Sequence, residues 1–303
     1  MRIKVLGSAA GGGFPQWNCN CRNCAGLRAG TLRALPRSQS SIAVSGDGER
    51  WALCNASPDI LAQIRATSEL QPRGALRGSG IAAVALTDGQ IDHAAGLLLL
   101  REGSRLPVYT TALVRDDLEA GFPVLRLLDH FCGVDWHPIG IDGEWFAIEG
   151  VDGIEWRALP LSSKPAPFSP RRNAPQPGDN IGLLIRDGKS KRRAFYAPGL
   201  GDFDEGVSGA MIGVDCLLVD GTFWTDEEMI GLGVGRKRAR EIGHLPQSGA
   251  GGMIERLREF PSARRILIHI NNTNPILDED SAERRALEHE GIEVAFDGME
   301  IVL

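Results

Sequence analysis

Apolar residues fall along this chain in short blocks, each closed by glycine, proline or a small polar residue, with helical signals between them. Residues 1–6 read as a strand that ends at Gly7. Residues 40–45 and 50–55 flank Gly46-Asp47-Gly48, whose turn chemistry predicts a hairpin. Ser57-Pro58-Asp59 offers an N-cap, a proline at the first helical position and an acid in the first turn, so a helix is expected to about Ala66. Residues 81–86 form an unbroken apolar run suited to a fully buried strand, and the apolar block 94–100 is expected to start a helix. Further strands are predicted at 107–110, 154–159, 181–186, 193–197, 216–219 and 264–268. Helical segments are predicted within 113–131, 248–260 and 278–290, and a pair of strands closes the chain. Between 160 and 178 lies a proline-rich loop, long enough that a compact domain would reserve it for function. No repeat or linker interrupts this pattern, which predicts one α/β domain over residues 1–303.

Polar residues collect where the buried strands end, at Asn55, Asp88, Asp220 and His269. The turn Thr87-Asp88-Gly89-Gln90-Ile91-Asp92-His93 is the densest case, with two carboxylates, an amide and an imidazole in six residues. Carboxyl ends of buried strands are where α/β proteins build their sites. The net charge of −6 argues against nucleic acid or an anionic membrane surface as the main partner. No apolar stretch approaches the roughly 18 residues of a membrane span, and no export signal is visible, so a cytoplasmic location is expected.

Of six cysteines, Cys19, Cys21 and Cys24 share one loop. Three thiolates at that spacing can grip one tetrahedral zinc ion in a closed, structural site. The fourth ligand is open between His269, Asn272, Asn274 and a group from a second subunit. Cys54 and Cys216 lie in apolar strands and read as inert buried thiols. His130, His137 and His289 read as structural or surface residues, and His244 as a loop histidine.

Asp88-x-Gln90-x-Asp92-His93, set between a buried strand and a helix, resembles the His-x-His-x-Asp-His turn of the metallo-β-lactamase superfamily with both leading histidines replaced. The glycine-rich opening at 6–15, followed by the cysteine loop, is similar to the branch that carries a structural zinc, which includes the phosphodiesterase of phosphonate breakdown. Gly11-Gly-Gly-Phe-Pro-Gln-Trp-Asn-Cys-Asn-Cys21, Gln90-Ile-Asp-His-Ala-Ala-Gly-Leu97 and His269-Ile-Asn-Asn-Thr-Asn-Pro275 narrow the resemblance to a family of pyrroloquinoline quinone (PQQ) synthesis proteins, essentially from end to end. The resemblance implies an αβ/βα four-layer sandwich with the site at one sheet edge. It places Asp220 and His269 at superfamily site positions. It also exposes gaps: Leu161-Ser162-Ser163-Lys164 stands where a histidine is expected, and no bridging aspartate follows residue 197 unless Asp202 serves.

Those departures argue against a tight dinuclear zinc site. Asp92, His93 and His269 remain as the expected catalytic metal ligands, and two imidazoles with one carboxylate are a non-haem iron set. Asp88 and Gln90 would add oxygen ligands or orient His93, and Asp220 completes the expected active-site metal ligands. The expected cofactors are structural Zn2+ and one active-site divalent ion, Fe2+ in function. The resemblance implies a peptide-derived glutamate–tyrosine precursor as substrate and other PQQ-pathway proteins as partners; a homodimer is a further expectation. Three functions compete: an oxygenase of the tyrosine ring, a single-metal hydrolase of the precursor peptide, and a soluble carrier in transport of PQQ or its precursor to the periplasm.

Overall fold

Alternation in the strands sorts their side chains into three apolar clusters, and the clusters define the layers. The computed structural model describes residues 1–74 and 76–303. Among these, fourteen strands form two sheets of seven. Numbered in chain order, the first sheet runs Glu300–Val302 (β14), Arg2–Gly7 (β1), Ser41–Ser45 (β2), Trp51–Cys54 (β3), Ile81–Ala85 (β4), Leu106–Thr110 (β5) and Val134–Pro138 (β6). The second runs Ile292–Val294 (β13), Arg264–Ile268 (β12), Cys216–Asp220 (β11), Arg193–Ala197 (β10), Ile181–Asp187 (β9), Ile154–Pro160 (β8) and Phe146–Ala147 (β7).

Each sheet pairs antiparallel neighbours through its early strands and parallel ones beyond, from β3 to β6 and from β10 to β13. Ile42, Val44, Ala52 and Cys54 point into the space between the sheets, against Trp156, Ile185, Leu218 and Ile266. Their neighbours Ala43, Trp51 and Leu53 face outward beneath Ile60, Val114, Leu118 and Leu128. Leu217, Val219 and Leu267 do the same on the second sheet, under Val207, Met211, Leu257 and Leu287. The result is helix, sheet, sheet, helix, with each buried large side chain contributing about 1.5–3 kcal/mol.

The two closing strands do not pair with each other. Strand β13 extends the second sheet beside β12, while β14 crosses to pair with β1. Both sheets offered an open edge there, and the intervening turn is anchored by Asp297, which accepts from the N–H and hydroxyl groups of Ser8 and Ser38. The helix expected from Ser57 begins at Ile60 instead, because the Ser57 hydroxyl accepts from the Asp59 N–H and holds Pro58 in a turn. The block 94–100 is a single α-turn, Ile91–Ala94, followed by a 3-10 segment, Ala95–Leu100. Gly96 packs so tightly on the 56–57 backbone that a Cβ there would sit 2.2 Å from the Ser57 carbonyl oxygen. Strands β6 and β7 lacked a legible pattern because they are half-exposed edge strands.

The sheets are laced together at one edge. Ile181 N–H donates to Thr87 O at 2.8 Å, and Ala10 and Ile270 exchange bonds with the opposite segment at 2.9 Å. The proline-rich loop is pinned over the same edge: Arg171 binds Asp179 at 2.6 Å and Asp117 at 2.9 Å, and the Thr111 hydroxyl donates to Gly178 O at 2.7 Å. Among the described residues no helix is long and apolar enough to cross a membrane.

Asn55 holds this edge from within. It is fully buried, with φ at 68°, and its Oδ1 accepts the Thr87 N–H at 2.9 Å. Its Nδ2 donates to the Thr87 hydroxyl at 3.0 Å and reaches the Tyr196 hydroxyl of the other sheet at 3.4 Å. Asn55→Ala should lower the unfolding free energy by about 2–4 kcal/mol, since it orphans a buried N–H and puts alanine in a left-handed conformation. Asn55→Gly should recover about 1 kcal/mol of that loss. Urea midpoints of the two variants check the order.

Candidate metal centres

Strand β4 delivers Thr87 and Asp88 to the laced edge, and the one-turn helix Ile91–Ala94 folds Asp92 and His93 back over them. Asp88 accepts the Gln90 N–H at 2.9 Å and the Thr87 hydroxyl at 3.0 Å, and its oxygens lie 2.9 and 2.8 Å from His93 Nδ1. The carboxylate therefore fixes His93 from behind. His93 Nε2 is buried with no hydrogen-bond partner among the described residues. A buried ring nitrogen without a partner calls for explanation, and a cation supplies one.

Strand β12 brings His269 to face it, with φ at 62° turning the backbone at the strand end. His269 Nε2 lies 3.1 Å from Asp92 Oδ2, and its Nδ1 lies 2.9 Å from the Thr222 hydroxyl. That hydroxyl sits 2.6 Å from Asp220 Oδ1 and, donating there, accepts from His269 Nδ1. That tautomer leaves the His269 Nε2 lone pair free for a cation, whereas a proton on Nε2 donates to Asp92 Oδ2. Ligand atoms of Asp92, His93 and His269 all fall within 4.8 Å of one another. Gly11 closes over the trio, since a Cβ there would meet Asp92 Oδ2 at 3.3 Å. The donor set fits one metal ion.

Asp220, His244 and His269 form a second trio within the same span. Asp220 Oδ2 lies 2.6 Å from His244 Nδ1 and accepts the Leu200 N–H at 2.8 Å, while Oδ1 takes the Thr222 N–H at 2.9 Å. Asp220 thus holds His244 as Asp88 holds His93. The His244 and His269 rings stack at 5.4 Å between centroids.

Electrostatics follow from this packing. Burial opposes charge on His93, but the carboxylates of Asp88 and Asp92 outweigh it and lift its pKa to about 9. Burial likewise opposes charge on Asp92, yet the His93 and His269 rings hold its carboxyl well below the usual range. His244 is raised because Asp220 overcomes the effect of burial.

The Gln90 amide donates to Lys164 O at 3.2 Å. Asp88 faces the back of the His93 ring, the orienting one of its two expected roles. Asp202 is exposed and caps the Phe203 N–H at 2.8 Å. His244, read from the sequence as a loop histidine, and Thr222 are the residues that the structure adds to the site. A histidine in Gly243-His244-Leu-Pro has no local signature, and only the return of that loop to the Asp220 strand end gives it a partner.

The cysteine loop forms the other centre. Cys19, Cys21 and Cys24 bring their sulfurs within 4.8 Å of one another. The Asn272 amide points at all three, at 3.1, 3.6 and 3.4 Å. Turning that amide about its last torsion offers Oδ1 to the same point as a fourth ligand. Asn274 spends its side chain elsewhere, accepting the Ile276 N–H and donating to Gly221 O at 3.0 Å. His269 is engaged by Asp92 and Thr222. Burial pushes the Cys21 thiol up to about 11, and the Cys19 and Cys24 sulfurs beside it add to the rise.

Two facing sheets with a mixed imidazole–carboxylate centre at their laced edge define a protein of the metallo-β-lactamase fold. Residues 50–270 match the family described as Beta-lactamase superfamily domain. The chain belongs to the coenzyme PQQ synthesis protein B family. Proteins of that name from Methylobacillus flagellatus and Azoarcus sp. are 57% and 58% identical to it, over 100% of both chains in each case. The crystal structure of Zn(2+)-bound PqqB from Methylobacterium extorquens superposes with a TM-score of 0.91, at 40% identity over 100% of both chains. A diphosphatase from the PhnP family shares the fold alone, with a TM-score of 0.69 at 18% identity over 100% of this chain and 97% of that one.

Because a metal must displace the proton from His93, affinity at the first trio should fall roughly tenfold per pH unit below about 9. Asp88→Asn should weaken metal binding about 10–100-fold and shift the fall to lower pH, since the charge that favours protonated His93 is gone. Competition titration with a metallochromic chelator between pH 6 and 9 checks both. At the cysteine loop, Asn272→Ala should speed zinc release to a chelator about tenfold or more, whereas Asn274→Ala should lower the melting temperature and leave release unchanged.

Proposed function

We propose that this chain takes part in PQQ biosynthesis as a metal-dependent oxygenase that hydroxylates the tyrosine ring of a glutamate–tyrosine precursor. The supporting observation is the donor set at the first trio, His93 Nε2, His269 Nε2 and Asp92 Oδ2. Two imidazoles and one carboxylate suit ferrous iron and leave positions for dioxygen and substrate. The 161–164 segment brings no imidazole that would make a second nitrogen-rich position. Bound at the trio, ferrous iron would supply the redox chemistry that lets dioxygen react with an aromatic ring. In the balanced reaction one oxygen atom enters a ring C–H bond and the other leaves as water, with two electrons and two protons from an external reductant.

The chain's own residues do the rest. Asp88 fixes the His93 ring and Thr222 fixes that of His269, so neither ligand must reorganise. Asp220 holds His244 through Nδ1 at 2.6 Å and favours its protonated form. His244 is thereby placed to hold or pass the proton of a phenol at the centre. The cysteine loop with Asn272 would hold a structural zinc ion, tying the 19–24 segment to 272–274.

One observation favours a hydrolytic reading: the Asp220–His244 pair beside His269 also suits activation of water on a single metal. The two readings part on oxygen. Iron-loaded protein with ascorbate, dioxygen and glutamyl-tyrosine dipeptide should give a product heavier by one oxygen atom, and none under argon. His93→Ala should reduce the rate by at least about 100-fold. Fragment release that persists without oxygen would establish hydrolysis and sink the oxygenase; binding with no turnover would leave a carrier.

A further inference from the structure

A cavity of about 470 Å3 opens between the start of the proline-rich loop and the loops carrying Gly201 and Gly243. Its walls adjoin the candidate site on two sides. Gly243 precedes His244, and the Lys164 carbonyl accepts the Gln90 amide at 3.2 Å. The walls are tightly set: the Ser163 hydroxyl donates to Gly243 O at 2.8 Å, and a Cβ on Gly201 would lie 2.5 Å from Ser162 O. Close approach at Gly201 and Gly243 holds these loops against the 162–164 segment.

Two cations line it, the half-buried Lys164 and the solvent-exposed Arg240. Among the described residues neither side chain has an ion pair or a side-chain hydrogen bond, and the one bond near Arg240 is made by its backbone N–H. The contrast with the same loop is plain. Arg171 is taken by Asp117 and Asp179, and Arg172 by the Pro165 carbonyl. The carboxylate on the wall, Asp204, caps the helix Glu205–Met211 through the Val207 N–H at 2.9 Å. An ammonium and a guanidinium without anionic partners at one cavity offer a place for an anionic ligand group.

We propose that Lys164 and Arg240 form a carboxylate-binding subsite that anchors the acidic backbone end and side chain of an amino-acid-derived phenol, setting its ring toward His93 and His269. This rests on the reading of the site as one that takes a glutamate–tyrosine substrate. The class of ligand follows from the chemistry: two carboxylates on a short aliphatic frame, each meeting one cation. Specificity against neutral phenols would then arise in this cavity and not at the metal.

Binding, measured apart from turnover, tests it. Full-length zinc-loaded protein is titrated calorimetrically under argon with glutamyl-tyrosine dipeptide and with the same dipeptide amidated on both carboxyl groups. Lys164→Gln and Arg240→Gln should each weaken the free dipeptide roughly five- to tenfold, and the double variant should weaken it more. Amidation should cost affinity for the unaltered protein and almost none for the double variant, because the groups that read the charge are gone. Melting temperatures confirm that the variants fold. Unchanged affinity in the variants, an amidation penalty that persists in the double variant, or no binding of dipeptide to the unaltered protein would each overturn the subsite. Carboxylate-dependent binding together with failure to gain oxygen would leave the subsite standing and remove only the oxygenase.

Discussion

The lacing of the two sheets at one edge is the constraint on which the rest of this protein depends. Asp92 and His93 follow a strand of the first sheet, and Asp220, His244 and His269 belong to the second. Nothing within either half brings them together. The Ile181–Thr87 bond and the exchange between Ser8, Ala10 and Ile270 set the distance between the sheet edges. Asn55 reinforces that edge by bonding Thr87 in its own sheet and Tyr196 in the other. The 3.1 Å approach of Asp92 to His269 is a consequence of this backbone registration.

The site built on that edge repeats one device. A buried carboxylate grips a histidine through Nδ1, once in each sheet, as Asp88 with His93 and Asp220 with His244. Buried ion pairs return little stability by themselves, since desolvation offsets most of the attraction. Their value lies in orientation: each ring is locked before any ligand arrives, and the free nitrogen of His93 is left facing Asp92 and His269. A cation at that point would offset three closely set carboxylates. The same logic, with sulfur in place of oxygen, runs through the cysteine loop, where Asn272 is held by its neighbours against three thiols.

The fold was largely legible where period and burial agree. The hairpin at 40–55, the apolar run leading to Asp88 and the strands that follow it were visible because strands buried on both faces carry continuous apolar runs. Edge strands β6 and β7 were not visible, being half-exposed. The two closing strands could be read as strands, but their partners could not, because a three-residue segment carries no record of which open edge it completes. Asp92, His93 and His269 stood out as ligand types at strand ends. His244 and Thr222 did not, because a single histidine or threonine in a loop is meaningful only beside the groups that it touches.

Sequence alone therefore determined the classes of element, the residues able to ligate metal, and a likeness strong enough to name the family. Those properties reside in local composition and spacing. Tertiary structure decided which carboxylates orient histidines and which face a metal, since Asp88 and Asp92 are chemically identical and differ only in where the turn points them. It also decided that Asn272, and neither Asn274 nor His269, reaches the thiols. Such choices are made by a few ångströms of backbone placement between segments far apart in the chain, and no local pattern encodes them.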